Sequence, residues 1–308
     1  MKNKRALILG VIFESTSLNY GEGIGNVSEL KKVIRGNGET YSYASRQSIL
    51  YSIREMLAEE FDWNLDTVVP TGSGENKVVQ FKRDVSIKES EEMDLFGYMK
   101  TVKKEEGNTL KRPGVVRINH AYAMEPYRGD MDYLTNMGMA SRCDASNNIA
   151  NIENQHSLYS YTISADLSRI GVTREDEDIE GEIEIENEEK AKRINEFLEV
   201  VKLLKREIRG RTENMSPAFV IGGLYPVANP YFDGRLKLIP GTKKLDLRPI
   251  NDALSLKAKG ESIKDLTSAG IVSGVLDNEE DITKELSTVT VEEFFENLKK
   301  EVSKYYGV

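Results

Sequence analysis

Near the start of the chain, Arg5–Phe13 (RALILGVIF) is a nearly continuous apolar run. It lacks polar alternation, so neither face of a strand built from it can meet water. The run therefore demands a strand covered on both sides or at the centre of a sheet. It is too short, and lacks small residues in the right places, to be the apolar part of a secretion signal with its cleavage site. Nothing else in the 308 residues approaches the ~20 apolar residues of a membrane span. A single cysteine, Cys143, excludes an internal disulfide and a cysteine-based zinc site. A soluble, cytoplasmic protein with a substantial core and no membrane partner is expected.

The next stretch, Ser17–Arg54 (SLNYGEGIGNVSELKKVIRGNGETYSYASRQSILYSIR), carries the strongest binding signal. Its glycines, Gly21, Gly23, Gly25, Gly36 and Gly38, let backbone approach a partner closely or take positive φ. Lys31, Lys32 and Arg35 put cations in the same loop. A helix is expected from Ser45, with Ile49, Leu50, Ile53, Met56 and Leu57 as its apolar stripe and Ser42 or Ser45 as its cap. Ser45-Arg46-Gln47 then presents free N–H groups and the positive dipole end beside a guanidinium and an amide, a setting for phosphates. Gly21-x-Gly23-x-Gly25 is a poor dinucleotide fingerprint, because its third glycine is misplaced and no helix follows directly.

The net charge of -9 argues against a nucleic-acid partner until it is located. Arg174–Lys190 (REDEDIEGEIEIENEEK) holds ten acidic and two basic residues, which is eight of the nine negative charges. Glu29–Arg54 has five basic and two acidic residues. Local fields matter more to a polyanion than the sum. The acidic run reads as a solvated loop that could be deleted without loss of the fold.

Beyond Phe61 the pattern is irregular up to about Gly171, with short strands expected at Lys77–Phe81, Val115–Asn119 and Tyr159–Ser164 and a hairpin turn at Thr71-Gly72-Ser73-Gly74. Without a long periodic helix, this region reads as an insertion. Ala191–Ile208 has helical spacing, with Gly210 as the glycine that ends the helix. Arg211–Ser216 reads as a short polar loop, Pro217–Leu224 as a strand, Lys237–Ile239 as a further strand, and Val291–Tyr306 as a last amphipathic helix. Strand and helix, insertion, then helix and strand make a split β-α-β motif. The expected fold class is α+β with a ferredoxin-like or RNA-recognition-motif core, whose sheet commonly carries single-stranded RNA on one face.

Three stretches, FESTSLNYGEGIGN (Phe13–Asn26), YSYASRQ (Tyr41–Gln47) and RINHAYAMEPYRGDMDYLTN (Arg117–Asn136), together with Ala191–Gly223, resemble the DevR-type backbone subunits that coat the guide RNA in type I CRISPR Cascade complexes, of subtype I-B. The resemblance implies a hand-shaped subunit with its palm in 1–58 and 188–308, a fingers insertion over 59–187 that ends in the acidic loop, and a thumb loop near 209–216. It implies RNA contacts at Ser45, Arg46 and Gln47, at Lys31 or Lys32, and at Arg209, Gly210, Arg211 and Asn214. Asn19 and Gly21 complete the expected RNA-binding set. The implied partners are a guide crRNA, the target DNA strand paired to it, further copies of the chain and other Cascade subunits, with no cofactor, metal or catalytic role.

The competing class is a ribonuclease using His120 or His156 as acid or base, or Asp130 and Asp132 on a metal; neither histidine has a spacing that demands a partner. A free-standing transcription regulator ranks last, because no basic helix-turn-helix is visible. Tyr41, Tyr43 and Tyr51 could stack on bases, although tyrosines flanking a helix more often pack.

Overall fold

The computed structural model describes residues 4–71, 77–101 and 109–308. The first elements are β1 (Ala6–Thr16), β2 (Lys32–Ile34), β3 (Thr40–Ala44), α1 (Arg46–Phe61) and α2 (Glu91–Phe96). There follow β4 (Val116–Ile118), β5 (Ala121–Ala123), β6 (Asp130–Thr135), α3 (Met137–Ala140), β7 (Ile149–Asn154) and β8 (His156–Asp166). Then come α4 (Asn187–Lys202), β9 (Lys205–Ile208), β10 (Arg211–Asn214) and β11 (Phe219–Tyr225). The last are α5 (Leu247–Leu254), β12 (Ser268–Ile271), α6 (Glu279–Leu286), β13 (Val289–Thr290) and α7 (Val291–Tyr306). The glycines of the turn expected at 71–74 lie outside the described residues, while the flanking strands Val68–Thr71 and Val78–Phe81 pair antiparallel.

The main sheet runs β13-β12-β11-β1-β8-β5-β3-β2, with β4 also paired to β8. Both neighbours of β1 are antiparallel to it, Leu9 facing Ile163 on β8 and Gly222 on β11. Two split units interlock: β1–α1–β4 straddles β8, and β8–α4–β11 straddles β1. The apolar run is central as its composition requires. Leu7, Leu9, Val11 and Phe13 pack under α1, α4 and α7 with Ile53, Phe197 and Phe295. Ala6, Ile8 and Ile12 face the other way and are covered by residues after β11, among them Phe232, Ile250 and Ile282. A side chain at Gly10 would put its Cβ 2.9 Å from Phe232 Cβ, so the cover sits directly on the strand.

Five readings need correction. A sheet face free for RNA is absent at the centre, because residues 226–287 bury it there. The segment 59–187, read as an insertion, contributes β4, β5 and β8 to the main sheet, β8 beside β1; strands need no helical period to join a core. Helix α4 ends at Lys202, since the chain turns into the β9–β10 hairpin, and Leu204 is buried without being helical. Gly210 (φ 75°) and Arg209 (φ 48°) make that hairpin's two-residue turn, where both positions need positive φ. Around Lys237–Ile239 only a single bridge forms, between Leu238 and Leu245.

The acidic run is the fifth. Glu177, Asp178 and Ile183 are buried. The fully buried Arg112 donates to Glu177 at 3.2 Å and to Asp94 at 2.6 Å, and Arg193 of α4 reaches Asp94 at 3.1 Å. Arg169 binds Glu177 at 2.6 Å, and the Tyr98 hydroxyl donates to Asp178 at 3.2 Å. The run is a pinned structural segment, because buried guanidinium groups need its carboxylates.

Candidate nucleic-acid interface

The Ser17–Leu30 segment forms a ladder that carries the loop residues to the start of α1. Gly21 N–H donates to Glu29 O at 2.8 Å, Lys31 N–H to Asn19 O at 2.9 Å, and Tyr43 N–H to Lys31 O at 2.9 Å. Asn19 Oδ1 accepts from Ser45 N–H at 3.1 Å. Asn19 is thereby a positioning residue for the helix start. At Gly21 an added Cβ would meet only Glu29 O, at 3.9 Å, and Lys31 Cγ, at 4.0 Å, so packing there does not require glycine.

Ser45 is the cap of α1, its hydroxyl accepting from Ser48 N–H at 3.3 Å. The N–H of Arg46 donates to His120 Nδ1 at 2.9 Å. Two of the early N–H groups are thus used internally, so fewer are left free than in the open helix start expected from sequence. The side chains of Arg46 and Gln47 reach the surface. Burial first, then the charges of Arg46 and Lys31, hold the His120 imidazole below its usual value. Lys31 and Arg46 therefore act on one spot.

Lys31 and Lys32 differ sharply. Lys32 Nζ pairs with Glu153 at 2.6 Å and lies over the Tyr127 ring at 4.8 Å. Neither Lys31, Arg35 nor Arg46 has an acidic partner among the described residues. Arg35 stacks on Tyr41 at 4.4 Å.

The β9–β10 hairpin is held against this surface. Arg206 donates to Leu18 O at 3.0 Å, Ser48 O at 2.7 Å and Ser52 Oγ at 3.0 Å, locking the hairpin to α1. Glu213 Oε2 accepts from the Ser15 hydroxyl and Thr16 N–H, both at 2.9 Å. Arg209 lies over Tyr20 at 4.3 Å, Arg211 turns in toward Glu213 at 3.2 Å, and Asn214 Oδ1 accepts from Ser216 N–H. Residues 209–216 thus form a tight, seated hairpin. The element that stands out is β6–β7 with α3 at its tip, where every residue of β6 is exposed. Met131, Tyr133, Leu134, Met137 and Met139 are all exposed there, the last by 69%.

The histidines belong to separate clusters: His156 pairs with Glu14 at 3.2 Å and meets the Thr16 hydroxyl at 3.0 Å, whereas His120 serves α1. Asp130 and Asp132 lie on the exposed β6, and Asp132 accepts from Asn154 at 3.2 Å. Tyr51 is exposed on α1, and Tyr41 is buried under Arg35. Sequence reasoning missed Arg206, Tyr122 and the link from His120 to α1; the alternation of Tyr41 with Tyr43 was the available signal for an aromatic strand face.

With this geometry in view, the chain can be set beside known proteins. Among solved structures, it is similar to a chain of a "CRISPR RNA-guided surveillance complex, pre-nicking", at 12% identity and TM-score 0.56, covering 95% of this chain and 100% of that one. A chain of another "CRISPR RNA-guided surveillance complex" aligns at 12% identity and TM-score 0.52, covering 95% and 99%. At such identities the likeness shows the fold. No curated protein matches in sequence. The profile of the CRISPR-associated negative auto-regulator DevR/Csa2 family matches residues 8–234, well over half the chain. The chain therefore belongs to the CRISPR-associated negative auto-regulator DevR/Csa2 family.

Proposed function

We propose that this chain is a non-catalytic, guide-RNA-binding backbone subunit of a type I CRISPR Cascade complex, of subtype I-B, working in the cytoplasm. The observation that carries the reading is the set of cations without acidic partners, Lys31 and Arg46 at the start of α1 and Arg35 beside the Tyr41 and Tyr122 rings. Such a set grips phosphates with little regard to sequence, and base pairing is left to read the target. The same division of labour operates in other RNA-guided effectors, where protein reads shape and the guide reads sequence. In this assignment Lys31 is the loop lysine that meets RNA and Lys32 is structural.

The interlocked β-α-β units are the RNA-recognition-type palm, and the residues between α1 and β4 are the fingers. The thumb role moves from 209–216 to β6–β7, the element with the reach and exposed apolar side chains to press against a neighbouring copy. Repeated head-to-tail contacts along one RNA give an open filament, and the target DNA strand pairs with the presented bases. Expression with its genomic neighbours and a CRISPR array tests this. A discrete copurifying RNA that stays intact on long incubation is the expected result. Protein free of RNA, or RNA trimmed in a manner dependent on His120 or Asp130, overturns it.

A further inference from the structure

Ile12, Ser160, Tyr122 and Tyr43 are successive cross-strand neighbours, so they share the sheet face turned away from α1. Ile12 is covered by the segment after β11, but Tyr43 and Tyr122 are only half-buried. With His120 they form a cluster of three rings, centroids 5.3, 5.7 and 5.9 Å apart. A shallow hollow of about 60 Å³ lies there, lined in part by Arg35, His120, Tyr122, Phe232 and Asp233.

We propose that the Tyr43–His120–Tyr122 cluster, walled by Arg35, is a stacking site for one unpaired nucleobase of the bound RNA. This rests on the RNA-binding reading above and adds a base contact to it. The Tyr43 and Tyr122 hydroxyls have no hydrogen-bond partner among the described residues. Because Arg46 N–H donates to His120 Nδ1, the neutral ring carries its proton on Nε2, a donor free for a base edge. Arg35 lies 5.8 Å from the Tyr122 ring and adds a cation beside the π surface.

The charges around the cluster also sort base from phosphate. Lys31 and Arg46 lie toward α1, where the flanking phosphates would be held. The hollow's other wall carries Asp233, which accepts from the Thr162 hydroxyl at 3.4 Å and opposes a phosphate but suits an exocyclic amine. The hollow is too shallow to enclose a base, so the base lies over the rings. Packing alone accounts for the cross-strand Tyr43–Tyr122 pair, but not for half-exposed rings with unpartnered polar edges beside unpaired cations.

The test compares a single-stranded RNA with an abasic strand of equal length. Wild-type protein is expected to bind the base-bearing strand about tenfold more tightly, within the range of base–aromatic stacking. Tyr43→Leu with Tyr122→Leu should erase that gap while leaving the abasic affinity and the salt slope unchanged. A gap that persists in the double variant overturns the site. Equal, strongly salt-dependent wild-type affinity for both strands overturns stacking and leaves the phosphate reading intact, whereas no affinity for either overturns both. Should the double variant unfold, aminopurine placed along the guide decides with wild-type protein: quenching at discrete positions, relieved by His120→Gln, supports the site, and uniform fluorescence overturns it.

Discussion

The backbone N–H of Arg46 donates to Nδ1 of His120 at 2.9 Å, so the first residue of α1 is fixed by a side chain from the strand region across the sheet edge. The bond requires a neutral imidazole. Burial and the nearby Arg46 and Lys31 charges hold its pKa below the ordinary histidine value. A lowered folded-state pKa contributes stability above the unfolded value, and that contribution is lost as pH falls through the folded one. The Arg46 amide resonance should therefore shift with a midpoint below the ordinary imidazole range, and His120→Ala should abolish the transition. A midpoint at or above that range would sink the account.

Lys31 and Lys32, adjacent in sequence, should separate by experiment. Lys31→Ala is expected to weaken RNA binding equally for all sequences and to lower the salt slope by about 1. Lys32→Ala should leave the slope alone and cost about 1–3 kcal/mol of stability, since Glu153 loses the cation that accompanies its bond to Leu30 N–H. Salt titrations and denaturant unfolding of both variants give the answer; a slope change with Lys32→Ala contradicts the assignment.

Arg112 is the centre of the buried ionic network and has 0% side-chain exposure. Arg112→Met should destabilise the protein by about 3–5 kcal/mol, as removing one partner of a buried ion pair does. Limited proteolysis should then open within 174–186, ahead of global unfolding. A variant as stable as the parent would show that the network is incidental.

Met137→Ser with Met139→Ser at the tip of the β6–β7 hairpin changes side chains that touch little of their own chain. Thermal stability should move by no more than about 0.5 kcal/mol. The number of copies bound per RNA, read by mass measurement in solution, should fall. Unchanged stoichiometry would remove the thumb role from this hairpin.

Local physics made part of this legible. The unbroken apolar run forced β1 to the sheet's centre, Ser45 was readable as a cap, and the Phe294, Phe295, Leu298 and Val302 stripe marked α7. What failed depended on distant partners. The Glu177 carboxylate looked solvated because Arg112 and Arg169 are brought to it only by the fold. Ile183, alternating with glutamates, was the available hint of a buried face. Leu204 and Ile208 continued the helical spacing of α4 although the helix had ended at Lys202 and Ile208 lies in β9, since a short apolar run fits either period.

The cover over Ala6, Ile8 and Ile12 has a consequence for how the protein is made. β1 is synthesised well before its partners, since its pairing strands begin at His156 and Phe219 and its cover extends to Ile282. A nascent chain that has emerged only through the family-matched residues 8–234 still lacks α5, α6, β12 and α7. Its most apolar strand is then only partly covered on that face, and the cover closes over long sequence separations, the slow regime of folding. Until residues up to Ile282 are made, that face leaves open to solvent apolar surface of the kind that drives association.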